Sequence, residues 1–170
     1  INTILEVSLL EREQFSPDLK PLAIDELLHD IAEAFITSCN NGAEIKEDLR
    51  CRNTVTEADI LYFTTMINNL LSNAVKYCDK EPVIELSSAI EGKTINITIA
   101  DNGIGISREH ISHVFDKFYR VPQGNIHKVK GLGLGLYYVK RIANAHGGEV
   151  SVSSKPGKGT TFVINLPIKQ

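Results

Sequence analysis

The stretch Asn69-Leu70-Leu71-Ser72-Asn73-Ala74-Val75-Lys76-Tyr77 holds the highest density of side chains able to do chemistry. On a helix, at about 100° per residue, Asn69, Asn73, Lys76 and Tyr77 fall within roughly a quarter to a third of the circumference. Two amide oxygens one turn apart can bind a hard cation such as Mg²⁺, which keeps several waters and takes its remaining ligands from a substrate's phosphates. Lys76 can meet a phosphate oxygen as a point charge. A merely solvated helix face would carry the same residues, so this stretch alone leaves both readings open.

Two glycine clusters add to it. Asp101-Asn102-Gly103-Ile104-Gly105 follows a strongly alternating segment. Its glycines let the backbone turn sharply and come close to a flat ligand, and Asp101 supplies an acceptor. An adenine amino group satisfies that acceptor, whereas the carbonyl of guanine leaves two acceptors facing each other, at about 1 to 3 kcal/mol per unsatisfied group. A plain turn after a strand uses the same residues. Gly131-Leu132-Gly133-Leu134-Gly135-Leu136 leads straight into a helical pattern. Spaced glycines ahead of a helix free backbone N–H groups to point at phosphate, and the helix dipole favours the anion. The dinucleotide fingerprint does not fit, because Leu136 stands where it needs glycine, and the P-loop does not fit Gly157-Lys158-Gly159, which precedes a strand. Between the clusters, Phe115, Phe118 and Tyr119 precede a polar stretch from which Arg120, Lys128 and Lys130 can reach a triphosphate as a lid closes. None of the five histidines stands in a metal-binding or triad-like arrangement. His29-Asp30 lacks the following proline of a phospho-acceptor site.

The elements that must position these residues are legible from periodicity. Ile67, Leu70, Leu71 and Ala74 form a buried stripe in a helix over 60–77. Residues 1 to about 14 read as the last turns of a helix, stopped at Ser16-Pro17. Then come a short extended segment at 19–24, a helix capped by Asp25 running to about Ser38, a strand at 43–49 and an extended piece near 53–55. Residues 82–90 and 93–100 read as an antiparallel hairpin, 107 to about 118 as a short helix and 134–145 as a second strong helix. Strands near 148–154 and 160–166 close the chain. The pattern predicts an α/β two-layer sandwich, with about three main helices on one face of a mixed, mostly antiparallel sheet of about five strands.

With 170 residues the chain fits one domain plus an appended helix, and a net charge of -3 argues against a general nucleic-acid surface. Cys39, Cys51 and Cys78 are odd in number and lack C-x-x-C spacing, which suggests neither a disulfide framework nor a zinc site. A reducing cytoplasm is the location expected from that cysteine usage. No apolar run reaches membrane-spanning length and no signal-peptide pattern opens the chain, so a soluble piece is expected.

Taken in order, the motifs resemble the catalytic, ATP-binding domain of bacterial two-component sensor histidine kinases. Asn69 to Tyr77 is similar to the family's N box, Asp101 to Gly105 to its first glycine box, Val114 to Arg120 to its F box, Gly131 to Leu136 to its second glycine box and Gly157 to Phe162 to its last. The resemblance covers roughly residues 20–168 and implies the Bergerat fold. It implies Mg²⁺ coordination by Asn69 and Asn73, phosphate contacts from Lys76 and Arg120, adenine stacking on Tyr77 and recognition of the adenine amine by Asp101, supported by Thr160 through water. Gly131, Gly133 and Gly135 would shape the phosphate loop. Gly103, Gly105, Ile106, Phe118, Lys130, Leu132, Leu134 and Leu136 complete the expected nucleotide contacts. Residues 1–16 would be the end of a dimerisation helix with its linker, and 17–170 the catalytic domain.

The implied partners are a histidine-bearing dimerisation domain of the same parent and a response regulator receiver domain, with no nucleic acid. The parent is expected to be a homodimer anchored in a membrane with this piece on the cytoplasmic side, and the piece itself a monomer. Two departures stand out. Leu132 replaces a small hydroxyl residue common in the second glycine box, and the box bearing the phospho-acceptor histidine is absent. Of the competing functions, an ATP-hydrolysing switch of the gyrase or mismatch-repair type would need a glutamate base where Asn69 stands, and asparagine cannot take a proton from water at neutral pH. Against a noncatalytic nucleotide-binding interaction module, the third reading, stand the intact Asn73, Asp101 and glycines.

Overall fold

In the computed structural model, which describes residues 16–39, 42–52, 54–122 and 131–168, the elements follow one another as β1 (Lys20–Ala23), α1 (Ile24–Ser38), β2 (Glu44–Leu49), β3 (Val55–Ala58), α2 (Ile60–Lys76), β4 (Val83–Glu91), β5 (Thr94–Asp101), α3 (Arg108–Ile111), α4 (Gly135–Ala145), β6 (Glu149–Lys155) and β7 (Gly159–Pro167). The expected N-terminal helix tail, Lys128 and Lys130 lie outside the described residues.

Period-two alternation builds the main sheet, ordered β2-β4-β5-β7-β6. Ile95, Ile97 and Ile99 of β5 stand opposite Leu166, Ile164 and Phe162 of β7, and all six point into the core. β2 pairs parallel with β4 while the other pairs are antiparallel, so the sheet is mixed as expected. β1 and β3 form a separate two-stranded ladder.

Helices cover one face of the main sheet. Phe63, Met66, Ile67, Leu70, Leu71 and Ala74 of α2 bury against Leu28, Ile31 and Ala32 of α1 and Tyr138, Val139, Ile142 and Ala143 of α4. At about 1.5 to 3 kcal/mol for each large side chain buried, this stripe holds α2 in place and turns its polar face outward. Asp59 begins that helix. Its Oδ1 accepts from the amides of Leu61 and Tyr62 at 3.0 and 3.1 Å. Buried His146, just past α4, accepts the Asp59 amide on Nε2 at 3.0 Å and donates from Nδ1 to the carbonyl of Ile142 at 2.8 Å. The start of α2 is thereby tied to the end of α4.

Two local expectations need correcting. Asp25 does not cap α1, whose first turn follows Ala23 without a side-chain cap. Its carboxylate instead accepts from Ser88 Oγ at 2.6 Å and the Cys51 amide at 2.7 Å, clipping α1 to β4 and the segment after β2. The helix expected over 107–118 is a single turn, α3, continued by turns whose amides reach carbonyls three residues back at His113, Asp116 and Tyr119. Phe118 stops it, with φ of 66°, in the left-handed region.

Candidate functional site

A cavity of about 830 Å³ opens between the polar face of α2, the C-terminal turn of α1 and the segment leading into α4. Of the residues expected from sequence, Asn69, Asn73, Lys76, Tyr77, Arg120 and the whole of Gly131–Leu136 line it. The helical stripe and the second glycine cluster, more than fifty residues apart in sequence, thus form facing walls.

The contact between those walls is close. A Cβ on Gly135 would stand 3.1 Å from Asn69 Oδ1, and one on Gly131 would stand 2.9 Å from Lys76 Nζ. Asn69 donates its amide hydrogen from Nδ2 to the carbonyl of Thr65 at 3.0 Å, which turns Oδ1 toward the glycine wall. No side chain caps α4, so its first amides stay available at the positive end of the helix dipole. Gly133, with φ of 72°, packs where any side chain would strike the backbone of Phe118 and Tyr119, and its carbonyl accepts the Phe118 amide at 3.0 Å.

The Asp101 segment sits beside this cavity and shares Tyr77 with it. The carbonyl of Tyr77 accepts the Ile104 amide at 3.0 Å, and a Cβ on Gly103 would come within 2.5 Å of the same oxygen. Asp101 Oδ1 accepts from the amides of Gly103 and Thr160 at 2.8 and 3.1 Å, while Oδ2 has no hydrogen-bond partner among the described residues. Burial pushes the Asp101 carboxyl above the usual carboxylate range, and the two amides pull it part of the way back. Burial likewise pushes the Tyr77 phenol up, against the pull of the Arg120 charge. Lys76 Nζ lies 5.3 Å from the centre of the Tyr77 ring.

Asp101, Gly103, Gly105, Ile106, Phe118 and Thr160 stand outside the wall of the cavity itself. Thr160 meets Asp101 directly through its backbone amide, and its hydroxyl pairs with Ser154 Oγ at 2.9 Å. Ser154, which sequence reasoning passed over, also takes the Ile106 amide at 2.8 Å and gives its proton to the carbonyl of Gly159. Alternation in β6 placed this serine on the inner side of its strand, but no local pattern says that it anchors a distant loop. Phe118 is more than half exposed, its ring beneath Lys117 Nζ at 5.2 Å. Lys130 lies outside the described residues. Phe35, Ser38, Thr65, Asn68 and Ser72 also line the cavity, none of them anticipated.

The carboxamides fit a hard cation, since each is a neutral oxygen donor and the side-chain oxygens of Asn69 and Asn73 have no hydrogen-bond partner among the described residues. Clusters of three or more His, Cys, Asp or Glu with metal-binding geometry are absent among the described residues, so the candidate donors are these amides.

A mixed sheet under three main helices, with a glycine wall facing helix-borne carboxamides, defines an ATPase-type α/β sandwich domain. Residues 58–170 match the family described as histidine kinase-, DNA gyrase B-, and HSP90-like ATPase, and the chain belongs to that family. Relatives it matches include a sensor protein and sensor histidine kinases. It is 39% identical to the sensor protein RprX of Bacteroides fragilis over 99% of this chain and 33% of that protein. It is 31% identical to the sensor histidine kinase WalK of Bacillus subtilis over 100% of this chain and 28% of that protein. The chain therefore spans about a third of the length of those relatives. Among solved structures, full-length ShkA in complex with AMPPNP superposes with a TM-score of 0.80 at 27% identity, covering 99% of this chain and 35% of that one. Among the described residues, no helix is long and apolar enough to cross a membrane.

Proposed function

We propose that this chain is the catalytic domain of a sensor histidine kinase, binding Mg²⁺-ATP and placing its γ-phosphoryl group for transfer to a histidine on another domain of the parent. The observation that carries this reading is the pairing of Asn69 and Lys76 with Gly135 and Gly131 across one cavity. A side-chain oxygen and an ammonium there line one cavity with a glycine backbone that bears no side chains to fill it, which is what positioning a polyphosphate requires.

Each residue then has a job. Asp101 accepts the adenine amine on its unpartnered Oδ2, held in place by the amides of Gly103 and Thr160. Tyr77 offers its ring to the base. Asn69 and Asn73 would hold Mg²⁺, which when bound offsets phosphate charge during transfer. Lys76 and Arg120 contribute further positive charge, and the amides at the start of α4 with the glycines before it cradle the anion. Gly105 and Ile106 brace the base-reading loop against the turn after β6.

The reading extends to the parent, supported by relatives named as sensor proteins and sensor histidine kinases. In it the parent dimerises through a histidine-bearing helical domain, passes the phosphoryl group to a response regulator and keeps this domain on the cytoplasmic side of the membrane. An ATP-hydrolysing switch is disfavoured by Asn69, whose carboxamide cannot act as a base. Titration calorimetry with Mg²⁺-ATP tests the core of the reading. Heat with ATP and none with GTP is expected, and the reverse would refute it.

A further inference from the structure

We infer that His110 is a positioning residue for the phosphate-holding wall of the cavity, acting through Tyr119, an inference that rests on the proposed reading of that cavity as a nucleotide site. His110 does not itself line the cavity, whereas Tyr119 and Arg120 do. His110 Nδ1 lies 2.7 Å from Tyr119 Oη. A phenol both donates and accepts, so this bond forms with either tautomer of the ring.

The local backbone builds the contact. From His110 onward, the amides of His113, Asp116 and Tyr119 each reach the carbonyl three residues back. Side chains three apart eclipse one another in such turns, so His110, His113, Asp116 and Tyr119 share one side of the segment. Their contacts follow from it. His113 Nδ1 lies 2.8 Å from Asp116 Oδ2, and the His113 ring centre lies 5.4 Å from that of Tyr119. The tyrosine is thus held at its hydroxyl by one histidine and along its ring by another.

What these contacts steady is a strained turn. Phe118 stands at φ of 66°, a conformation that a bulky residue keeps only where its surroundings enforce it. Its amide donates to the Gly133 carbonyl at 3.0 Å, and a Cβ on Gly133 would come within 2.7 Å of the Tyr119 carbonyl oxygen. The turn at Phe118 therefore seats the glycine wall, and Arg120, two residues on, lines the same cavity. Tyr119 is the residue between them. With the His110 bond gone, its side chain can turn, Phe118 can relax toward ordinary dihedrals, and the glycine wall and Arg120 lose their common register.

Titration of the full chain with a nonhydrolysable ATP analogue and Mg²⁺ tests this. His110→Leu is expected to lower the affinity about tenfold, through loss of a fixed geometry. Tyr119→Phe removes one oxygen and leaves the ring in place, so it should lower the affinity to a similar degree, and it carries the test if the Leu variant fails to fold. Because both substitutions remove the same bond, the double variant should bind no more than about twofold more weakly than either alone. His110→Asn places an amide atom where Nδ1 stands and should restore most of the affinity. At saturation with Tyr119→Phe, the phosphorus NMR signals of the bound analogue should shift while its adenine proton signals stay. Wild-type affinity in both single variants overturns the inference, as does a double variant whose loss is the product of two separate effects. An Asn variant as weak as the Leu variant, or adenine signals that move while the phosphorus signals do not, overturns it too. Failure of the unsubstituted chain to bind the analogue would instead overturn the nucleotide reading itself, and this inference with it.

Discussion

The carboxamide oxygen of Asn69 lies 3.1 Å from the point where a Cβ on Gly135 would stand, so α2 and the glycine wall meet more closely than a methyl group ordinarily packs. Gly135 is not in the left-handed region, and its value here is close approach. Gly135→Ala should therefore leave the thermal midpoint little changed while lowering nucleotide affinity about tenfold, because the Asn69 oxygen must shift by a few tenths of an ångström from where it meets the ligand. Differential scanning calorimetry beside an ATP titration checks both halves. An unchanged affinity would mean that the two walls do not grip the same ligand.

The Asn73 side chain has no hydrogen-bond partner among the described residues, so its removal should cost the fold little. Asn73→Ala is expected to lower ATP affinity about tenfold or more in Mg²⁺ and to leave the weak binding in EDTA unchanged. Titrations in the two buffers separate a metal ligand from a direct nucleotide contact. An equal loss in both would assign Asn73 to the nucleotide alone.

Burial raises the Asp101 carboxyl above its unfolded value, so the folded state holds this proton more tightly than the unfolded one. The stability linked to it is full below the ordinary carboxylate range and is lost as pH rises through the raised value. Asp101→Asn should thus raise the stability of the free protein at neutral pH, with the gain shrinking toward acid, and should weaken ATP binding about tenfold or more. Urea titrations at several pH values follow the first effect. A gain that persists undiminished in acid would contradict the linkage.

Ser88 is buried, donates to Asp25 and accepts the Arg50 amide at 3.0 Å. Ser88→Ala leaves the Asp25 carboxylate short of a donor and should cost about 1 to 3 kcal/mol of stability without moving ATP affinity. Chemical denaturation measures the loss.

A Cβ on Gly159 would fall 1.8 Å from the carbonyl oxygen of Asp101, and its φ is 92°. Gly159→Ala should destabilise by about 3 kcal/mol or more through the clash and the strained backbone, and should weaken adenine recognition by moving Asp101. A variant with wild-type stability would mean that the β6–β7 turn moves freely away from the Asp101 loop.

The sequence by itself determined which faces are buried and which residue types are displayed. Alternation in β5 and β7 and the stripe through Ile67, Leu70, Leu71 and Ala74 come from local periodicity, and local periodicity survives without knowledge of distant contacts. The chemistry of Asn69, Asn73, Asp101 and the glycines was legible for the same reason, since it lies in residue type and short spacing. Only the tertiary structure decided what meets across the chain. That Asp25 serves Ser88 rather than its own helix end, that His146 holds Asp59 and that Ser154 anchors Ile106 are contacts between segments distant in sequence. The same holds for the cavity wall at Phe35 and Ser38, which needs the end of α1 brought against α2. Side chains with several possible partners take the one that packing supplies, and packing is a property of the assembled layers.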